Sequence, residues 1–246
     1  MFKKKNIWWI YLLFFGVLLG VFYLALVDEP NFHESKLAVI NANIPDFEFV
    51  NQDGNKISQK NTAEKVYVAE YFFTTCKGIC PLMNANMRRV YDNFKDEKQF
   101  MIISHTCMPE TDSIPVLKAY EQKMINGKLT KNTDGAYKIS TAGTENIALP
   151  KNTNWNFVTG DKEQLYKLAR QGYKIDNGKP DSTQLIQDQF IHSQFFALVD
   201  KYGRVRGIYD GLKEDEVQKL MTDITGLLKE KVDHSRFLNN FSNTPN

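Results

Sequence analysis

Cysteine is scarce in this chain of 246 residues, which has three, at Cys76, Cys80 and Cys107. A small secreted scaffold stapled by disulfides carries more, and an odd count leaves at least one thiol unpaired within the chain. The three cysteines therefore read as chemical rather than structural. Net positive charge is wanting too. The formal charge is +2, and setting aside Lys3-Lys4-Lys5 leaves −1 for everything after them. Affinity for nucleic acid comes mainly from neutralised phosphates, so that partner class is set aside. There is no Gly-rich phosphate loop, no Ser/His/Asp arrangement and no internal repeat. The proline and second threonine that precede a peroxidatic cysteine are missing around Thr74-Thr75-Cys76, which excludes a peroxiredoxin.

What is present starts at the N-terminus. After a tail of residues 1–6, the segment from Ile7 to Val27 (IWWIYLLFFGVLLGVFYLALV) carries no charge. At a rise of about 1.5 Å per residue it matches the roughly 30 Å hydrocarbon layer of a bilayer. Trp8, Trp9 and Tyr11 at one end and Tyr23 near the other suit the membrane interfaces. No clean A-x-A site follows, so an uncleaved anchor is expected rather than a removed signal peptide. Lysines before the span and Asp28-Glu29 after it place the remainder outside by the positive-inside rule. Organelle transit peptides are rich in Arg and Ser, unlike this start. The expected location is thus a bacterial inner membrane, single-pass, with a soluble domain facing the periplasm, where disulfides form and persist.

Residues 28–42 are polar and aperiodic and read as a tether. From there strands and helices alternate. Residues 45–57 read as a hairpin around Asp53-Gly54, KVYVAEYFF (65–73) as a central strand, and 81–94 as a helix with Pro81 in its first turn. A strand over 99–105 and a helix over 112–124 follow, then a long insertion at 126–154, expected as a surface hairpin. A strand at 154–160 leads to a helix from Asp161, a polar segment, a hairpin turning at Tyr202-Gly203 and an amphipathic helix over 213–230. Residues 232–246 read as a tail. This order predicts an α/β fold, a central mixed sheet flanked by helices, over residues 43–231. A strand running into a cysteine-bearing helix start is also the order of a thioredoxin-like domain.

Cys76 and Cys80 fall where that strand gives way to the helix, a place that favours anions and is expected to lower thiol pKa values. On a regular helix, residues four apart have Cβ atoms about 5–6 Å apart, wider than the roughly 3.5–4.5 Å of a disulfide. The spacing leans towards two soft thiolates on one Cu(I) or zinc ion, with oxidation left open. Two ligands do not close a zinc site. A third ligand could come from His33, His105, His192, His234 or Cys107. His192, just before the strand-like SQFFALVD, is the best placed. Met83 and Met87 read as core, Cys107 and Met108 as small packing residues, and Asp112, Asp161 and Asp200 as caps or turn residues.

FTTCKGICPLM, followed far downstream by IHSQFFALVDKYGRVRGIYDG, resembles the Sco/SenC family of membrane-anchored copper chaperones. NWNFVTGDKEQLYKLARQGYKI and SHTCMPETDSIPVLKAY are similar to further family segments, and the likeness spans roughly residues 43–231. The resemblance implies a thioredoxin-like domain that binds copper, Cu(I) with Cu(II) left open, through Cys76, Cys80 and His192. It implies help in assembling the CuA centre in subunit II of cytochrome c oxidase, with copper taken from an unidentified donor. The alternative it carries is a thiol–disulfide oxidoreductase that keeps the CuA cysteines reduced, with Cys76 and Cys80 as the redox couple. A metallochaperone rather than an enzyme is the expected reading. One departure stands out: Cys107-Met108 replaces the Val-Asp usual before Pro-Glu. It admits an auxiliary sulfur near the copper, or a disulfide between Cys107 and a motif cysteine.

Overall fold

The computed structural model describes residues 8–27, 37–133, 135–140, 152, 154–176 and 194–231. The chain divides into two units, residues 1–34 and 35–246. The first contains helix α1 (Trp8–Val27), whose 20 residues carry no charge. Among the described residues, whose side chains in α1 stop at Tyr23, no helix is long and apolar enough to cross a membrane. The transmembrane helix expected over residues 7–27 is thus met only as a helix.

The second unit is built on a seven-stranded mixed sheet. In chain order its strands are β1 (Glu48–Asn51), β2 (Lys56–Ser58), β3 (Val66–Phe72), β4 (Phe100–Thr106), β7 (Trp155–Thr159), β8 (Phe195–Val199) and β9 (Val205–Asp210). A separate pair, β5 (Lys128–Lys131) and β6 (Tyr137–Ser140), forms an antiparallel hairpin. The order across the large sheet is β2-β1-β7-β4-β3-β8-β9. β3 and β4 pair in parallel at its centre, β4 pairs in parallel with β7, and the remaining pairs are antiparallel. Every residue of β3 and β4 is buried, which explains why their sequences run apolar and aromatic without alternation.

Alternate side chains still go to opposite faces. Val66, Val68 and Phe72 of β3 join a core with α3 (Cys80–Phe94), α4 (Ile114–Asn126) and α6 (Glu214–Lys229). Met83, Met87, Val90 and Phe94 of α3 supply that core at helical spacing, so the methionines pack as expected. Tyr67, Ala69 and Tyr71 point the other way, towards Leu165 of α5 (Lys162–Lys167) and the wider π-type turns that continue it through Leu168–Tyr173. The short α2 (Gln59–Thr62) follows β2.

Most expected elements form within a residue or two of their anticipated limits. Gly54 and Gly203 take φ of 78° and 73° at the two hairpin turns, a conformation glycine adopts without steric cost. Asp161 caps α5 by accepting the Gln164 amide at 2.9 Å, and Asp200 accepts the amides of Tyr202 and Arg204 in its turn. Asp112 differs: α4 begins at Ile114 with Ser113 as its N-cap, which frees the Asp112 carboxylate for another task. The expected tether also ends early. From Leu37 it lies along β9, where the Ile40 amide donates to the Val205 carbonyl at 2.8 Å and Arg206 Nη2 to the Leu37 carbonyl at 2.6 Å. Residues 28–36, 141–151, 177–193 and 232–246 lie outside the described residues, and with them most of the tether, much of the insertion, the polar segment and the tail.

Candidate metal centre

The central ladder ends at the pairing of Phe72 with Thr106. Beyond it the chain turns at Thr74-Thr75, and the Cys76 amide donates to the Phe73 carbonyl at 3.2 Å. α3 then opens at Cys80, with Ile79 as N-cap and Pro81 in the first turn, where its missing N–H leaves no carbonyl short of a donor. Cys76 therefore stands in the loop and not on the helix. The distance argument from helical spacing does not apply to this pair, and the obstacle it raised to a disulfide falls away.

Both motif cysteines are thiols, as is Cys107. Cys76 is half-buried and Cys80 only 4 % exposed. Expectation also erred on acidity. Burial, then the Cys76 thiol beside it, pushes the Cys80 thiol well above its ordinary range. Cys80 at neutral pH is a protonated thiol awaiting a cation or an electrophile.

Two acidic residues frame the pair. Glu70 is wholly buried in β3 on the face of α3; its Oε1 accepts the Ser104 hydroxyl at 2.5 Å, and Ser104 Oγ accepts the Trp155 indole N–H at 2.8 Å. Burial, opposed in part by that hydroxyl, lifts its carboxyl to about 8. The sequence signal was there, an acid within KVYVAEYFF. Asp112, 1 % exposed, accepts the Thr74 hydroxyl at 2.5 Å, the Thr74 amide at 3.2 Å and the Thr106 hydroxyl at 2.5 Å.

The other sulfur and nitrogen candidates separate. His105 and Cys107 belong to the opposite side of the sheet. The His105 ring stacks on Tyr71 at 4.9 Å and meets Phe49 and Tyr173 edge-on at 5.5 and 5.4 Å. Burial drives its pKa down to about 3, so it is a neutral core residue. Cys107 packs with Phe47, Phe49 and Tyr71, and burial pushes its thiol up. Met108 is half-buried and its amide donates to Thr106 Oγ1 at 3.0 Å. The packing role expected for Cys107 agrees with this placement. His33, His192 and His234 lie outside the described residues, and among the described residues no group of three His, Cys, Asp or Glu side chains could hold a metal ion.

A parallel strand pair that delivers one thiol in a loop and a second at the start of the next helix defines a thioredoxin-like dithiol protein. The SCO1/SenC family model matches residues 38–142 and 145–229, and the chain belongs to that family. It is 28% identical over 187 residues to the SCO1 protein homolog of Bacillus subtilis, covering 75% of this chain and 82% of that one. The structure of BsSco, a member of the Sco family of cytochrome c oxidase assembly proteins with a disulfide switch, superposes with a TM-score of 0.57 at 26% identity over 79% of this chain and 98% of the other. Arabidopsis thaliana ScoI, solved with copper bound, shares the fold at 17% identity and a TM-score of 0.52, with 76% and 100% covered.

Proposed function

We propose that this protein is a membrane-anchored copper metallochaperone that assists assembly of the CuA centre of cytochrome c oxidase. The observation that carries the reading is the placement of Cys76 and Cys80 as neighbouring thiols at the strand-to-helix junction, with Cys76 reaching solvent. Soft sulfur suits Cu(I), and a half-exposed ligand lets the ion pass to an incoming thiolate by exchange. Binding must displace the Cys80 proton, so loading releases protons to solvent.

His192 is the proposed third ligand. β8 runs antiparallel to β3, so Phe195 begins at the edge of the sheet where β3 ends and the cysteine loop starts. His192 precedes Phe195 by three residues, a reach of about 10 Å of extended chain. Its neutral imidazole complements two thiolates. The anchor is α1, set by the uncharged run over residues 7–27, with the domain of residues 43–231 in the periplasm and the chain between as tether. Subunit II of the oxidase is the proposed recipient and an unidentified protein the copper donor.

The test is titration of the reduced full-length protein in detergent with Cu(I), with X-ray absorption reading the neighbours. One Cu(I) per chain is expected, bound by two sulfurs and one imidazole nitrogen, with sharp loss on Cys76→Ser, Cys80→Ser or His192→Ala. Unchanged affinity in His192→Ala would overturn the three-ligand site.

A second reading has one specific observation in its favour. Because Cys76 lies outside the helix, the pair can close a disulfide without distorting α3, as a thiol–disulfide oxidoreductase requires. Reduction of oxidised CuA-site peptides without copper, undiminished in His192→Ala, would select it.

A further inference from the structure

Asp112 has no place in either reading so far, yet it is buried within hydrogen-bond reach of the segment that carries Cys76. Its carboxylate receives three donors. Oδ1 takes the Thr74 hydroxyl at 2.5 Å; Oδ2 takes the Thr74 amide at 3.2 Å and the Thr106 hydroxyl at 2.5 Å. Thr106 Oγ1 in turn accepts the Met108 amide at 3.0 Å, and the Asp112 amide donates to the Met108 carbonyl at 2.9 Å. A buried carboxylate is tolerated only when its lone pairs are met, and charge-assisted bonds to it are the strong ones.

The place of these bonds matters more than their number. β3 and β4 are held by ladder bonds up to Phe72 and Thr106, and the Cys107 amide still reaches the Phe72 carbonyl at 2.8 Å. At Thr74 the ladder has run out. The Asp112 carboxylate takes over there, binding the backbone and side chain of Thr74 in the turn after β3 and the side chain of Thr106 at the end of β4. Two residues later comes Cys76, while Cys80 is fixed separately by α3, which packs on the sheet. The relative placement of the two sulfurs thus depends on where Thr74 is held.

We infer that Asp112 is the positioning residue of the dithiol: by clamping Thr74 to the end of β4 it sets the approach of Cys76 to Cys80, and through it the affinity and redox poise of the pair. The inference deepens the copper reading and rests on it for its first measurement, though not for its second.

The first measurement is Cu(I) affinity of the reduced full-length protein, by competition with a chromophoric chelator. Asp112→Asn replaces one acceptor oxygen with a donor and should weaken Cu(I) binding by about tenfold or more, as loss of an outer-shell partner of metal ligands does. Thr74→Val, which keeps the amide and loses the hydroxyl, should weaken it severalfold, and Thr74→Ser should restore it. Ile224→Ala, a core truncation under α6 that leaves the hydrogen bonds of Asp112, Thr74 and Thr106 in place, supplies a variant of lowered stability and should keep wild-type affinity.

The second measurement needs no metal. The Cys76–Cys80 disulfide is equilibrated with glutathione: two GSH give up two electrons and two protons, becoming GSSG, as the disulfide becomes two thiols. A loosened loop lowers the chance that the sulfurs meet, so Asp112→Asn and Thr74→Val should shift this equilibrium severalfold towards the dithiol. Affinity and equilibrium within twofold of wild type in both variants would overturn the inference. So would losses no greater than those of Ile224→Ala at equal stability. A wild-type protein that took up no Cu(I) would sink the copper reading alone, and the glutathione equilibrium would still decide the role of Asp112; should Asp112→Asn fail to fold, Thr74→Val against Thr74→Ser decides it.

Discussion

Nδ1 of His105 lies 3.2 Å from the backbone carbonyl oxygen of Glu70, while the two side chains leave the sheet on opposite faces. Two groups that both resist charge are thus joined through one peptide at the centre of the fold. Their titrations pull stability in opposite directions. Glu70, at about 8 against an ordinary 4.5, keeps its proton in the folded chain after the unfolded chain has lost it, so stability falls as pH rises between those values. His105, at about 3 against 6.5, stays neutral after the unfolded chain has gained a proton, so stability falls as pH drops through that window. Each slope approaches about 1.4 kcal/mol per pH unit. Between pH 4.5 and 6.5 the slopes oppose each other and the two contributions leave a plateau. Urea unfolding of Glu70→Gln should flatten the limb from pH 6.5 to 8, and His105→Phe the limb from 3 to 4.5. A Glu70→Gln profile parallel to wild type above pH 6.5 would remove Glu70 from the account.

Thiol chemistry should follow exposure. Cys76 reaches solvent, Cys80 is buried with its thiolate disfavoured, and Cys107 is closed inside the opposite core. With iodoacetamide at pH 8, peptide mass spectrometry should find Cys76 alkylated first, Cys80 much more slowly, and Cys107 only on unfolding. Early labelling of Cys107 would contradict its packing.

Met83 and Met87 carry a prediction of another kind. Both are buried among aromatic and aliphatic side chains, at 1% and 0% exposure. Met87→Leu, which conserves volume, should cost less than about 1.5 kcal/mol, and Met87→Ala about 2–5 kcal/mol. Neither should change the sulfur count at bound copper. A lost sulfur neighbour in Met87→Leu would make this methionine a ligand.

The β5–β6 hairpin rests on the main domain through Ile139, which packs against the core, and through Arg89. Arg89 donates from Nη1 and Nη2 to Glu214 at 2.7 and 2.6 Å, and its guanidinium lies 4.1 Å from the centre of the Tyr137 ring. Glu214 is half exposed, so Glu214→Gln should cost under about 1 kcal/mol and the difference should shrink with salt. Arg89→Ala also leaves the Tyr137 ring uncovered and should cost about 1–3 kcal/mol. Hydrogen exchange should rise in residues 128–140 with Arg89→Ala and stay near wild type with Glu214→Gln.

Much of the fold could be read from local patterns. KVYVAEYFF and QFMIISH are buried on both faces, and their composition says so. Asp53-Gly54 and Tyr202-Gly203 mark turns because the chain needs positive φ there. The cysteine pair was visible too, since its spacing and following proline are local facts. What escaped was set by contacts distant in sequence. Asp112 reads as a cap beside a helix start; its task is fixed by Thr74, 38 residues earlier, which no local rule connects to it. The face on which His105 and Cys107 fall follows from strand alternation, but only packing tells which face carries α3 and its thiols. The thiol pKa was misjudged because the helix start is a local feature and burial is not.

The stretch from Leu37 to Asn41 lies along β9, the outermost strand of the sheet. Any tug arriving from the upstream chain is therefore borne at that edge, as shear across the hydrogen bonds to Val205 and the Arg206 guanidinium. The cysteine loop hangs from β3, with β8 between it and the loaded strand. The dithiol is in this way insulated from pull on the residues before Leu37, and Cys76 and Cys80 keep their spacing while that edge is strained.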